Sequence, residues 1–246
     1  MGMKTEERVR RVFADLRRRY GRSFADDPGT ALARVTVETE DPFRVLISTI
    51  LSQRTRDEKT EEASARLYTR YATPQAIANA PVRELMELIR PAGFYRQKAP
   101  KIREVSRILL ERHRGRVPDT FEELVALPQV GRKTANCVLV YGYGKPAIPV
   151  DVHVAVISRR LGLAPSTADE EEVERRLSRI VPKRLWLPLN EWFVRFGKEV
   201  CRTAAPRCDA CRLTDMCLYF RRVRAAKRAG LRPDPRPPAS ASRRQR

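Results

Sequence analysis

Leu127-Pro128-Gln129-Val130-Gly131-Arg132-Lys133-Thr134-Ala135-Asn136 reads as a helix end, a tight turn containing glycine, and a new helix beginning near Arg132. Gly131 has no Cβ, so the chain there can turn sharply or lie close against a ligand. The N–H groups left open at the start of the second helix can hold a phosphate. Lys133 falls in that helix's first turn, where the helix dipole disfavours a cation. Its amine should therefore lose a proton more readily, and a neutral amine is what a Schiff-base nucleophile must be. The plainer reading of such a lysine is a solvated or phosphate-contacting side chain.

Asp151, in Pro149-Val150-Asp151-Val152-His153, follows eighteen positions after Lys133. A helix over 132–142 is about 15 Å long at 1.5 Å per residue. The return through Gly142, Gly144, Pro146 and Pro149 spans up to about 26 Å when extended. The chain can therefore bring Asp151 back beside Lys133. Taken alone, Asp151 is first of all a helix N-cap, and a cap can also catalyse.

The 246 residues carry 50 Lys+Arg against 30 Asp+Glu, a formal charge of +20. Such an excess calls for a polyanionic partner, most simply a nucleic-acid backbone. Residues 221–246 hold ten basic side chains and one acidic, so the body keeps about +11 of its own. No run approaches the roughly 18 apolar residues of a membrane helix, and no signal peptide precedes Thr5-Glu6-Glu7-Arg8. Five cysteines, four of them clustered late, do not form a secreted disulfide frame. These features place the protein in a reducing cytoplasmic compartment, associated with the nucleoid.

Apolar residues recur at helical spacing almost throughout. Thr5 is expected to cap a helix through Val9, Val12, Phe13, Leu16 and Tyr20 that Gly21 ends. Asp41-Pro42 is a cap followed by proline at the first helical position, opening a run from Phe43 to Leu51. Asp57 is expected to cap a further helix, and Thr73-Pro74, Ala80-Pro81 and Arg90-Pro91 punctuate shorter ones. Another spans 98–113, and Asp119 is expected to open the helix ending at Leu127. Asp151 caps a helix over 152–161, Thr167-x-x-Glu170 matches a capping box, and 186–200 is helical again. The β-favouring triplet Val35-Thr36-Val37 is short and isolated. Beyond about residue 228 the Pro/Ser/Arg composition predicts disorder. The fold class is all-α.

Cys201, Cys208, Cys211 and Cys217 are spaced C-x6-C-x2-C-x5-C. Four thiolates within seventeen residues can converge on one centre, and both zinc and a [4Fe-4S] cluster accept four cysteines. Zinc loops usually pair two C-x2-C knuckles or add histidines. This one has a single knuckle, with His113 and His153 distant, so the cluster is favoured. Cys137, inside the apolar run Cys137-Val138-Leu139-Val140, reads as a buried structural residue.

The hairpin stretch, then Val-Asp-Val-His, then the four-cysteine spacing, together resemble endonuclease III, a helix-hairpin-helix DNA glycosylase, over residues 5–220. That resemblance implies a two-lobed helical enzyme with a DNA-filled cleft and a [4Fe-4S] cluster loop. It implies a six-helix barrel over 35–146 carrying the hairpin, a cluster domain made of 1–34 with 147–222, and a basic disordered tail over 223–246. It implies a bifunctional DNA glycosylase and AP lyase of base excision repair, acting as a monomer on double-stranded DNA that holds oxidised pyrimidines or abasic sites. Lys133 matches the Schiff-base lysine, and Asp151 the carboxylate that assists it. Gln129, Gly131 and Arg132 match the DNA-contacting hairpin. Phe94, in Gly93-Phe94-Tyr95-Arg96, matches a wedge residue, and Gln53 or Arg54 the side chain that fills the vacated stack. The four cysteines match the cluster ligands.

Two positions depart from the family pattern. Arg54 stands where glutamine is frequent, and Gln129 where glycine is common; a positive φ at Gln129 would strain it. Two other readings remain: a monofunctional mismatch glycosylase removing thymine, uracil or adenine, and a non-catalytic DNA-binding protein.

Overall fold

The computed structural model describes residues 3–21 and 27–230, with only the backbone of residue 227. Among the described residues there are thirteen α-helices and no strand: α1 Thr5–Tyr20, α2 Ala31–Thr39, α3 Pro42–Ser52, α4 Asp57–Arg70, α5 Pro74–Asn79, α6 Val82–Leu88, α7 Tyr95–His113, α8 Phe121–Val125, α9 Arg132–Cys137, α10 Val152–Arg160, α11 Glu170–Ile180, α12 Trp186–Glu199 and α13 Leu218–Arg228. The chain divides into Pro28–Pro149 and a second unit built from Met1–Asp27 with Val150–Arg246.

The unit Pro28–Pro149 is organised around α3. Every residue from Val45 to Leu51 is buried, so this helix is covered on all sides rather than along one stripe. Asp41 caps it by accepting from the Phe43 N–H at 2.9 Å, with Pro42 at the first helical position, as the sequence predicts. Helices α2, α4, α7 and α9 pack around it. Its buried hydroxyls are matched: Ser48 bonds Ser64 Oγ and Tyr68 Oη, and Thr49 donates to the Val45 carbonyl.

Val35-Thr36-Val37 is not a strand fragment but part of α2. Thr30 caps that helix, Ala31–Ala33 are buried, and Thr36 Oγ1 donates to the Leu32 and Tyr141 carbonyls. The buried first turn and the Thr36 bonds hold the triplet in the helix, overriding its weak β preference. All of α2 belongs to this unit, so a boundary at 34/35 would cut the helix. Helix α9 continues into a π-helical stretch, Val138–Gly142, packed on α3 with Cys137 fully buried. Asn136 Nδ2 donates to the Ile148 carbonyl at 3.2 Å, tying the return segment to α9.

In the second unit, α1 and α12 share an aromatic core. The Phe13 ring lies 6.2 Å from Trp192 and 5.9 Å from Phe193, centroid to centroid. Arg8 is buried and donates to the Leu161 and Met216 carbonyls, both at 2.7 Å, binding α1 to the end of α10 and to the cysteine loop.

Several expected helix starts move by a residue or two. Lys4 rather than Thr5 is the N-cap of α1, and Arg56 rather than Asp57 that of α4. Thr120 caps α8, while Asp119 pairs with Lys145 at 2.5 Å. Asp169 caps α11 by accepting from the Glu172 N–H at 2.8 Å, replacing the Thr167 capping box. Each displaced residue is itself a competent cap, and the packing of the helix selects which one is used. The expected tail over 223–246 also begins too early. Residues 223–228 belong to α13, which packs against α10; residues 231–246 lie outside the described part.

Candidate active site

In the hairpin, Leu127 N–H donates to Leu124 O and Val130 N–H to Leu127 O, closing two successive turns. The left-handed residue is Gln129, at φ 63°, whereas Gly131 is extended at φ −85°, ψ 178°. Gly131 is therefore not needed for the turn's dihedral. A Cβ there would meet nothing within 4 Å, so the glycine keeps an open surface. Lys133 is the second residue of α9, half-buried, and lines a shallow open cavity with Gln53, Gln129, Gly131 and Thr134. Arg132 is exposed, its guanidinium 4.9 Å from the Phe121 ring centroid.

The segment after α3 lies against this hairpin. Gln53 Nε2 donates to the Gln129 carbonyl at 2.9 Å and to Thr134 Oγ1 at 3.4 Å. Arg54, at φ 52°, instead carries its guanidinium to 5.6 Å from the Phe94 ring centroid. Phe94 has φ 58° and is 51% exposed. Among the described residues five non-glycines adopt positive φ, and three of them are Arg54, Phe94 and Gln129. Strained backbone concentrates where a site demands a fixed geometry.

Asp151 opens α10 in the other unit. Its Oδ1 accepts from the Val154 N–H at 2.8 Å, the cap that the sequence predicts. The His153 ring packs on Gly197 of α12, and its buried Nδ1 meets no hydrogen-bond partner among the described residues.

The four late cysteines follow α12. Each of the other three acts electrostatically on Cys211, whose thiol burial pushes up to about 11. Burial raises Cys201 and Cys217 too. Backbone N–H groups of Leu213 and Phe220 donate to Cys211 Sγ and Cys217 Sγ, both at 3.4 Å. Yet among the described residues no three His, Cys, Asp or Glu side chains stand close enough together to hold a metal ion. The donor set suits a thiolate-bound group; the side chains as they stand do not gather around one.

Residues 47–183 match the HhH-GPD superfamily of base excision DNA repair proteins. Endonuclease III of Thermotoga maritima is 53% identical over 182 residues, which cover 74% of this chain and 85% of the relative. This chain belongs to the endonuclease III family. The Escherichia coli K12 member is 38% identical over 74% of this chain and 86% of its own length. A trapped endonuclease III–DNA covalent intermediate, an estranged-adenine complex, superposes with a TM-score of 0.80 at 33% identity, covering 89% of this chain and 98% of that one. Family membership makes the protein a DNA glycosylase and AP lyase of base excision repair.

Two residues of this family member were not legible as part of its site. Lys98, in the first turn of α7, is 5% exposed, and Nζ donates to Leu51 O and Gln53 O, both at 2.7 Å, and to Thr55 Oγ1 at 3.0 Å. Arg160, ending α10, donates to the carbonyls of Cys201, Arg202 and Thr203 and lies 4.4 Å from the Tyr219 ring centroid. In sequence each is an ordinary basic residue of an amphipathic helix. Their partners lie more than forty positions away.

Proposed function

We propose that this family member removes oxidised pyrimidines of the thymine glycol type from duplex DNA, with Lys133 as nucleophile and Asp151 as the assisting carboxylate. The observation that carries the reading is the position of Lys133, half-buried in the first turn of α9 and on the wall of the hairpin cavity. There the helix dipole opposes a positive charge, and an amine without its proton is what a Schiff-base nucleophile must be.

Its Nζ attacks the sugar C1′ as the glycosidic bond breaks, and the base departs with the bonding electrons and a proton. Positive charge that builds on the sugar is stabilised by the Asp151 carboxylate. One oxygen of that carboxylate is already oriented by the Val154 N–H. The Nζ–C1′ adduct then opens the sugar ring, the C1′–O4′ bond breaking as O4′ takes a proton, and the resulting protonated imine acidifies C2′; loss of the C2′ proton expels the 3′ phosphate and cuts the strand.

Gln129, Gly131 and Arg132 would hold the backbone, while Phe94 with Arg54 enters the duplex beside the flipped nucleotide. Unstacking costs a few kcal/mol, which such an insertion offsets. Cys201, Cys208, Cys211 and Cys217 would hold the [4Fe-4S] cluster, which shapes the loop bearing Arg202, Arg207 and Arg212. The protein would act as a monomer inside the cell; among the described residues no helix is long and apolar enough to cross a membrane.

Borohydride trapping on a duplex with one thymine glycol tests this. The native protein should give a covalent adduct, Lys133→Ala none, and Asp151→Asn at least tenfold less. Base release seen only after alkali, without an adduct, would instead assign monofunctional chemistry.

A further inference from the structure

Lys98 takes no part in the chemistry just described, yet it is a charged amine enclosed in the unit that carries the hairpin. Burial lowers its pKa to about 8. Its three bonds all run to oxygen acceptors, which favour the protonated form and leave no lone pair for attack. Lys98 is therefore a strut and not a second nucleophile.

The strut joins two segments. Leu51 and Gln53 contribute carbonyls at the C-terminus of α3, where unpaired carbonyls and the negative end of the helix dipole accumulate. The Lys98 ammonium caps that helix end from α7. Thr55 Oγ1 accepts from Lys98 and from the Gly93 N–H at 3.1 Å, and it also lies 3.2 Å from the Gln53 carbonyl as donor. Gly93 fits so closely that a Cβ there would lie 2.8 Å from the Arg54 carbonyl. The turn over 53–55 and the turn at 93–94 are thus locked to each other, and their two left-handed residues meet as the Arg54–Phe94 pair. Gln53 has its side chain turned to the hairpin instead.

We propose that Lys98 is the positioning residue of the duplex-reading edge: by capping α3 and fixing the 53–55 turn, it seats Arg54 on Phe94 as one insertion element. This rests on the reading of that pair as the part entering the duplex. Lys98 acts through Arg54 and Phe94 and touches neither sugar nor base. Its loss therefore falls on duplex substrates, where a gap must be filled, more than on a single strand, where none exists.

The experiment compares borohydride trapping on one abasic-site oligonucleotide, single-stranded and as duplex, for the native protein, Lys98→Met and Thr55→Val. A 2-aminopurine opposite the site reports insertion in the duplex. For Lys98→Met, the loss on duplex should exceed the loss on single strand at least tenfold, rising mainly in KM, with the 2-aminopurine response abolished. Thr55→Val removes the same brace from a partly exposed position, and should show the same pattern at about threefold. Equal losses on both substrates, or an unchanged 2-aminopurine response in both variants, would overturn the proposal. Native protein that traps neither substrate would overturn the lyase reading itself, and the proposal with it.

Discussion

Gln129 holds φ 63° while its carbonyl accepts from Gln53 and its neighbour Gly131 sits in ordinary extended geometry. A non-glycine residue in the left-handed region costs about 1–2 kcal/mol, so the turn places its strain on a glutamine while the glycine two positions on does not take it up. Gln129→Gly should relieve that strain without disturbing the carbonyl that Gln53 uses. We expect a gain of about 1 kcal/mol, read as a rise of about 2–4 °C in Tm, with trapping on duplex retained. A lower Tm would mean that the glutamine side chain holds the turn in a way its backbone dihedral does not reveal.

Contacts between elements carry larger penalties. Gly197 of α12 lies under the His153 ring of α10; an alanine Cβ would come within 2.7 Å of His153 Cγ and 2.9 Å of His153 Cβ. Because the Cβ is anchored to the helix, α10 itself must move. Gly197→Ala should therefore lower stability by about 1–3 kcal/mol, measured by denaturant unfolding. The cysteine loop depends in the same way on α10. Arg160→Met would strip the carbonyls of Cys201, Arg202 and Thr203 of their common donor. We expect a lower iron content per chain and a lower Tm together; full iron content in the variant would separate the loop's order from this arginine.

At the scale of the molecule, charge sets how the protein meets DNA. The net +20 predicts that log K for duplex binding falls linearly with log salt concentration. Helix α13 runs to Arg228, so a truncation testing the tail should begin after Gly230, not at 223. Residues 231–246 contain five arginines and one aspartate, which leaves +16 on the shortened chain. Deleting them should leave Tm unchanged and the salt dependence steep. A slope that collapses would assign the phosphate contacts to the tail.

The sequence by itself determined what depends on neighbours within a few residues. Helical periodicity made the fold all-α, the caps at Asp41 and Asp151 fall where their hydrogen-bonding side chains predict, and the hairpin is readable from its turn. Local chemistry could not choose between adjacent competent caps such as Thr120 and Asp119, nor make Val35-Thr36-Val37 helical. At α2 the burial of Ala31–Ala33 and the Thr36–Tyr141 bond hold the triplet in a helix. Tertiary structure alone decided that Gln53 turns to the hairpin while Arg54 joins Phe94, and that Lys98 and Arg160 are internal donors. A basic side chain reads as solvated until the fold surrounds it with carbonyls, and those come from residues no short-range pattern can connect to it.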